Sequence, residues 1–193
     1  DYISIIGEAE AQEIHHAGHW REQIHERAKN LELSGDRLPW SKVTGFKLRP
    51  GEITLVAGMN GHKKSMVLGQ WALDLMCQGK KIAIASLEMK PEETLWRMCQ
   101  QAAGLTAGQP SQEFINTFMD LADEYLVIYD QLDSVKTEKI LGFVNYCGKV
   151  LECDHIMIDS LAKCGIGVDN REGEADIINR LAWSAKHLNT HIH

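Results

Sequence analysis

The stretch from Gly58 to Ser65, with the sequence GMNGHKKS, constrains the fold of this chain more than any other. It follows an apolar segment at 53–57 and precedes an apolar-periodic segment that begins at Met66. A buried strand, a glycine-bearing loop, a Lys-Ser pair and a helix, in that order, make a phosphate cradle, because the loop amides and the helix dipole favour negative charge at one point. The order therefore predicts a nucleotide-binding α/β protein.

The usual spacing of such a loop, G-x-x-x-x-G-K-[ST], assigns roles within the octet. Counted from Gly58, Lys64 is the lysine that reaches the phosphates and Ser65 is the hydroxyl that binds Mg²⁺. Lys63 stands where the pattern has its second glycine, and a lysine held there at positive φ would cost roughly 1–3 kcal/mol. The alternative is a functionless turn between a strand and a helix. The predicted nucleotide-binding residues are Gly58, Asn60, Gly61, His62, Lys63, Lys64 and Ser65.

Strand and helix patterns alternate along most of the chain. A helix predicted over 8–33 and a connector lead us to expect an N-terminal arm and linker at 1–37 and a core at 38–193. The predicted strands are 53–57, 81–87, 125–129, 154–159 and the opening of another at 190–193. The predicted helices are 64–77, 91–103, 111–123, 136–151 and 174–189. This alternation predicts an α/β core with a mainly parallel, twisted sheet flanked by helices. Because the chain starts at Asp1 and its last strand is short, we expect a fragment of a longer protein.

Composition excludes several other classes. No apolar run approaches 18 residues, so no membrane span is predicted. The five cysteines form no C-x-x-C pair, which favours reduced thiols in a cytoplasmic protein. The net charge of −7 argues against non-specific binding of polyanions by the whole surface.

Two acids follow predicted strands, where ligands bind in open parallel sheets. Asp159 ends the strand at 154–159 and is predicted to hold Mg²⁺, although a capping or turn role is the alternative. Glu88 follows the strand at 81–87 and is predicted to deprotonate the attacking water, with a solvated loop acid as the alternative. That role assumes that the strand of Glu88 lies beside the segment 53–57.

Four passages carry a resemblance to a known family. They are 50–65, Ser86-Leu87-Glu88-Met89 with the acidic helix ending near Arg97, 155–160, and 179–189. On these passages the chain resembles the RecA-like motor domain of hexameric replicative DNA helicases, the DnaB family and the phage primase-helicases. The Ser-Leu-Glu-Met passage is the most specific of the four, because P-loop proteins in general lack it.

The resemblance implies an ATP-dependent helicase core with a RecA-like P-loop fold and a variant loop. Glu88 and Lys64 would be catalytic, and Ser65 and Asp159 would bind Mg²⁺. The nucleotide would be ATP or another NTP or dNTP, and the partners single-stranded DNA, identical subunits in a six-membered ring, and a primase domain or protein. The setting would be the cytoplasm of a bacterial or phage-infected cell. The family's phosphate sensor and arginine finger would lie beyond His193, so the isolated chain is expected to be nearly inactive.

The segment 161–173 is the candidate DNA contact, because its glycines allow close approach to phosphates. Lys163 and Arg171 supply positive charge there, and an ordinary surface loop is the alternative. Two other functions remain open for the whole chain. One is a recombination ATPase like RecA or RadA, and the other is a scaffold that binds nucleotide with little turnover.

Overall fold

The computed structural model describes residues 14–29, 35–39, 45–59, 61–105, 108–165 and 170–193, and the chain divides into two compact units, Asp1–Ser34 and Gly35–His193. In the first unit a 3₁₀ turn, Ala17–Trp20, leads into helix α1, Arg21–Lys29. The helix predicted over 8–33 is thus confirmed as α-helix only at Arg21–Lys29; it is wrong at 14–16, where His16 is extended, and residues 8–13 and 30–33 lie outside the described residues. The second unit begins slightly before the boundary expected at residue 38.

A four-stranded parallel sheet forms the centre of the second unit, which confirms the predicted α/β class. Its strands are β3 Ile82–Ser86, β4 Leu126–Ile128, β5 His155–Asp159 and β6 His191–Ile192, in the order β4-β3-β5-β6. Every residue of β3 and β5 is buried, as expected for central parallel strands covered on both faces. A separate antiparallel pair joins β1, Asp36–Arg37, to β2, Lys47–Leu48.

Five helices cover the two faces of this sheet. They are α2 Lys64–Cys77, α3 Pro91–Ala102, α4 Gln112–Tyr125, α5 Thr137–Lys149 and α6 Arg171–Leu188. Successive strand residues point to opposite faces, and this separates two cores. Ile82, Ile84 and Met157 pack with α2, α3 and α4, while Ala83 and Ala85 pack with α5 and α6. No helix in the described part of the chain is long and apolar enough to cross a membrane.

Local capping sets where two of these helices begin. The Ser111 hydroxyl accepts the Phe114 amide at 3.2 Å, so α4 starts where the sequence predicts. Asn170 caps α6 by accepting the Gly173 amide at 2.9 Å. Arg171, predicted to lie on a loop at 161–173, is therefore the first residue of a helix.

The strand predicted at 53–57 is wrong as a regular, buried strand. The segment makes one isolated parallel bridge, between Ile53 and Ile192, and the Thr54 amide donates to the Ile192 carbonyl at 2.9 Å. Leu55 is 60% exposed. Among the described residues its backbone bonds to β6 end at Thr54, so the residues after Thr54 form no ladder with that strand.

The position of this segment also corrects the expected neighbour of Glu88. Strand β3, which precedes Glu88, pairs with β4 and β5, and β6 lies between β5 and Ile53. Two strands therefore separate the strand of Glu88 from the segment that leads into the loop. Glu88 can meet the loop only across the carboxyl end of β5.

Candidate nucleotide-binding site

The loop before α2 contains two residues in the left-handed region. Gly61 has φ 81°, and Lys63, the N-cap residue of α2, has φ 59° and ψ 30°. The position where the usual pattern has glycine thus adopts the conformation that glycine favours, although lysine occupies it. Asn60 lies outside the described residues.

No side chain caps α2 at its N-terminus. The first turn of a helix carries N–H groups without intrahelical acceptors, and the helix dipole adds partial positive charge there. An anion can satisfy those groups, so this end of α2 suits a phosphate.

Lys64 lies across the loop. Its ammonium donates to the carbonyls of Gly58 at 2.8 Å and Met59 at 3.2 Å. Its stem passes over Gly58, where a Cβ atom would stand 3.6 Å from Lys64 Cγ. An ammonium has three N–H donors, so one remains for a phosphate oxygen.

Ser65 and Asp159 line the same small cavity, of about 30 Å³. Ser65 comes from the first turn of α2, and Asp159 ends β5. Asp159 is 9% exposed and pairs in register with Ser86 of β3. In-register neighbours share a face, and alternation from Ile84 and Met157 places that face toward α2. The predicted Mg²⁺ ligands are therefore brought together.

Ser86 is a site residue that sequence reasoning missed. Its side chain is 3% exposed and lines the same cavity, and its hydroxyl has no hydrogen-bond partner. An unbonded buried hydroxyl costs about 1–3 kcal/mol, so the site offers a ligand one unused polar atom. The available signal was a polar residue at the end of the apolar run 82–85.

Glu88 lies next to this group without lining the cavity. It is exposed, and its carboxylate accepts the Ser160 hydroxyl at 2.8 Å. Ser160 directly follows Asp159 and lines a second cavity of about 240 Å³ together with Lys64, Asp159 and the segment 53–57. The bond from Ser160 thus holds Glu88 beside the carboxyl end of β5.

The donor set fits a magnesium ion that is bound together with a nucleotide. Mg²⁺ prefers oxygen ligands and commonly takes one or two protein groups, with water and phosphate oxygens completing its shell. The Ser65 hydroxyl and the Asp159 carboxylate are such groups, and the unbonded Ser86 hydroxyl lines the same cavity. In the described part of the chain no group of three or more His, Cys, Asp or Glu side chains could hold a metal ion.

A histidine ties the segment 53–57 to the sheet. The Arg49 carbonyl can only accept, so His191 Nδ1 donates to it at 2.7 Å. His191 Nε2 is then the acceptor for the Thr54 hydroxyl at 2.9 Å. Burial lowers the pKa of His191, which keeps the imidazole neutral.

A second polar contact holds the β1–β2 pair to the sheet. His155 Nε2 and Asp36 Oδ2 lie 3.1 Å apart, and Lys80 Nζ is 3.0 Å from Asp36 Oδ1. Burial acts to raise the pKa of Asp36, but the hydrogen bonds and charges of His155 and Lys80 lower it overall. The Asp36 carboxylate is thereby stabilised in its charged form.

The two predicted DNA contacts differ in their surroundings. Lys163 ends a 3₁₀ turn, Leu161–Lys163, is half-buried, and its carbonyl accepts the Val135 amide at 2.8 Å. Arg171 is exposed. Residues 166–169 between them lie outside the described residues, so the predicted DNA-binding segment is described only at its two ends.

No protein-family model and no curated protein matches this chain. A functional assignment therefore depends on the residues and their geometry. Asp159 lines one cavity with Ser65 and Ser86, and a second cavity with Lys64. The hydrogen bond from Ser160 holds Glu88 near them.

Proposed function

We propose that this chain is the RecA-like nucleotide-binding core of an ATP-dependent DNA helicase. The observation that carries the proposal is the convergence of Ser65, Asp159 and the unbonded Ser86 hydroxyl on one cavity beside the uncapped start of α2. A carboxylate and two hydroxyls in that place match the chemistry of Mg²⁺ and a polyphosphate. The resemblance of four sequence passages to replicative helicases supplies the more specific reaction.

Each residue of the site has a defined part in this proposal. The loop amides and Lys64 bind the terminal phosphates, and Ser65 and Asp159 hold Mg²⁺, which neutralises charge on the phosphates. Glu88 accepts a proton from the water that attacks the terminal phosphorus, while the bond from that phosphorus to the bridging oxygen breaks and the nucleoside diphosphate leaves. The hydroxyl of Ser160 donates to Glu88 and orients that carboxylate.

The DNA part of the proposal rests on fewer residues. Lys163 lies in the turn that directly follows β5 and Ser160, and Arg171 is the first residue of α6. In a chain of net charge −7, a few placed cations must supply the contacts with DNA phosphates. We propose that identical subunits in a ring gather these cations around one strand.

Nucleotide binding and DNA-stimulated hydrolysis by the full-length protein test this proposal. Lys64→Ala should remove binding of a non-hydrolysable ATP analogue. Glu88→Gln should retain binding and lose at least about 10²-fold in turnover, because it removes the base alone. Glu92→Gln is the matched control, since Glu92 is another exposed acid nearby, in the first turn of α3. Absence of nucleotide binding by the unaltered protein, or full turnover by Glu88→Gln, would refute the proposal.

One observation favours a scaffold that binds nucleotide without turnover. The Lys64 ammonium uses two of its three N–H donors for carbonyls of its own loop, and Lys63 in that loop has a left-handed backbone conformation. If ligand does not draw Lys64 off these carbonyls, its charge reaches the terminal phosphate less effectively. Tight analogue binding with no DNA-stimulated hydrolysis by the full-length protein would favour the scaffold.

A further inference from the structure

A polar groove of about 520 Å³ lies beside the loop, between the start of α2 and the end of α3. Its lining includes two cations, Lys63 and Arg97, and three glutamines, Gln70, Gln100 and Gln101. A volume of several hundred Å³ is the size of a small-ligand site.

The two cations of this groove have no acidic partner. Neither Lys63 nor Arg97 forms an ion pair within the described ranges, and both side chains are exposed. Four cations of the described residues form ion pairs: Lys29, Arg49, Lys80 and Arg180. Lys63 and Arg97 are among the cations without one, and they line the same groove. Two like charges that share a groove repel each other, and an anion between them would reverse that effect.

Two of the glutamine amides have structural partners, and the Gln100 amide donates to the Gly108 carbonyl at 2.9 Å. The Gln101 amide donates to the Met66 carbonyl at 2.9 Å, which fastens α3 to the first turn of α2. That bond fixes the two helices that carry Lys63 and Arg97. The groove is therefore a preformed place for a ligand whose charge is negative.

The groove shares three lining residues with the cavity of the predicted Mg²⁺ ligands. Arg97, Met66 and Gln101 line both spaces, and the smaller one also contains Ser65 and Asp159. The planar guanidinium of Arg97 can bond two oxygens of a phosphate at once. Lys63 adds a charge that glycine, the residue of the usual pattern, would not provide.

We propose that Lys63 and Arg97 form a second phosphate-binding site, beside and distinct from the cradle of Lys64 and Ser65. The ligand is a phosphate group, supplied either by a nucleotide or by the backbone of single-stranded nucleic acid. The nucleotide source rests on the proposed function, and the nucleic-acid source does not. In either case the unusual lysine of the loop acquires a role of its own.

The experiment uses Lys63→Ala, Arg97→Ala and the double variant, with Lys90→Ala as the control. Lys90 is an exposed cation just before α3 that does not line the groove. Calorimetry measures binding of a non-hydrolysable ATP analogue, and fluorescence anisotropy measures binding of an oligothymidylate at several salt concentrations. We expect the double variant to bind either the ATP analogue or the oligothymidylate about tenfold more weakly, because it loses hydrogen bonds to a charged group. The control should stay within about twofold.

The salt series and Lys64→Ala identify the source of the phosphate. If the phosphate belongs to nucleic acid, the double variant reduces the magnitude of the slope of log K for oligothymidylate against log salt by about 1.4, which is 0.7 for each lost contact. Lys64→Ala then leaves oligothymidylate binding intact. If it is the nucleotide, the double variant and Lys64→Ala both weaken the analogue.

Two results overturn the inference. Unchanged affinity of the double variant for both ligands excludes the second site, while loss of analogue binding by Lys64→Ala would still uphold the proposed function. If the unaltered protein binds neither ligand, both proposals fail.

Discussion

Lys63→Gly tests whether the loop stores backbone strain at the residue that breaks the usual pattern. Lys63 has φ 59° and ψ 30°, in the left-handed region, and its side chain is exposed. A residue with a Cβ atom pays about 1–2 kcal/mol for that conformation. Glycine avoids this cost but loses about 0.5–1 kcal/mol more than other residues through the entropy of the unfolded chain.

The balance predicts that Lys63→Gly raises the free energy of unfolding by about 0.5–1 kcal/mol. For a unit of this size the midpoint of thermal unfolding should rise by roughly 1–4 °C. Gly61→Ala is the reciprocal change: Gly61 has φ 81°, and no atom lies within 4 Å of an added Cβ. That substitution should therefore destabilise the protein by a similar amount, through the backbone alone.

Urea titration with linear extrapolation measures both changes. Lys63→Ala is the control, because it removes the charge and keeps the Cβ atom, and it should change stability little. A lower stability of Lys63→Gly would refute the proposed backbone strain at Lys63. A change of stability with the same sign for Lys63→Gly and Gly61→Ala would do so as well.

Three further changes test other parts of the structure. Ser86→Ala removes an unbonded buried hydroxyl, so the free energy of unfolding should rise by up to about 1 kcal/mol in urea titration. Nucleotide binding by this variant should require a higher Mg²⁺ concentration. An unchanged Mg²⁺ dependence would contradict the role of Ser86. Ser111→Ala removes the acceptor of the Phe114 amide and should cost about 1 kcal/mol in the same assay. Burial lowers the pKa of His191 below its usual 6.5, so the unfolded chain binds the proton more readily. Stability should then be full above pH 6.5 and fall as the pH decreases below it. His191→Gln should flatten the decline, and a decline unchanged by it would assign the effect to other groups.

The helices of the core were predictable because their signals are local. The bounds of α2 follow from the apolar periodicity after Lys63 and from Gly79, and those of α4 from Ser111. The fully buried strands β3 and β5 were predictable too, because continuous apolar runs between helices are typical of covered parallel strands. These features depend on residues close together in sequence.

The segment 53–57 shows where such reasoning fails. Its composition is that of a buried strand, yet strand formation depends on backbone bonds to a partner, and here the pairing with β6 is limited to the bridge between Ile53 and Ile192. The sequence does not state the strand order either, and so the strand of Glu88 was wrongly placed beside this segment. The prediction that Ser65 and Asp159 lie close together did not depend on the strand order. It required only that α2 pack over the end of β5, and the two residues line the same cavity.

Register explains why the site contains both Asp159 and Ser86. Strands β3 and β5 run parallel with Ile84 opposite Met157 and Ser86 opposite Asp159, so all four side chains face α2. A slip of one residue between the strands would place a hydrophobic residue opposite Asp159 and turn Ser86 out of the cavity. The apolar residues that pack under α2 therefore fix the register, and the register brings the two polar side chains to Ser65. Changes of volume at Ile84 or Met157 should consequently alter Mg²⁺-dependent nucleotide binding as well as stability, although neither residue can bond a ligand.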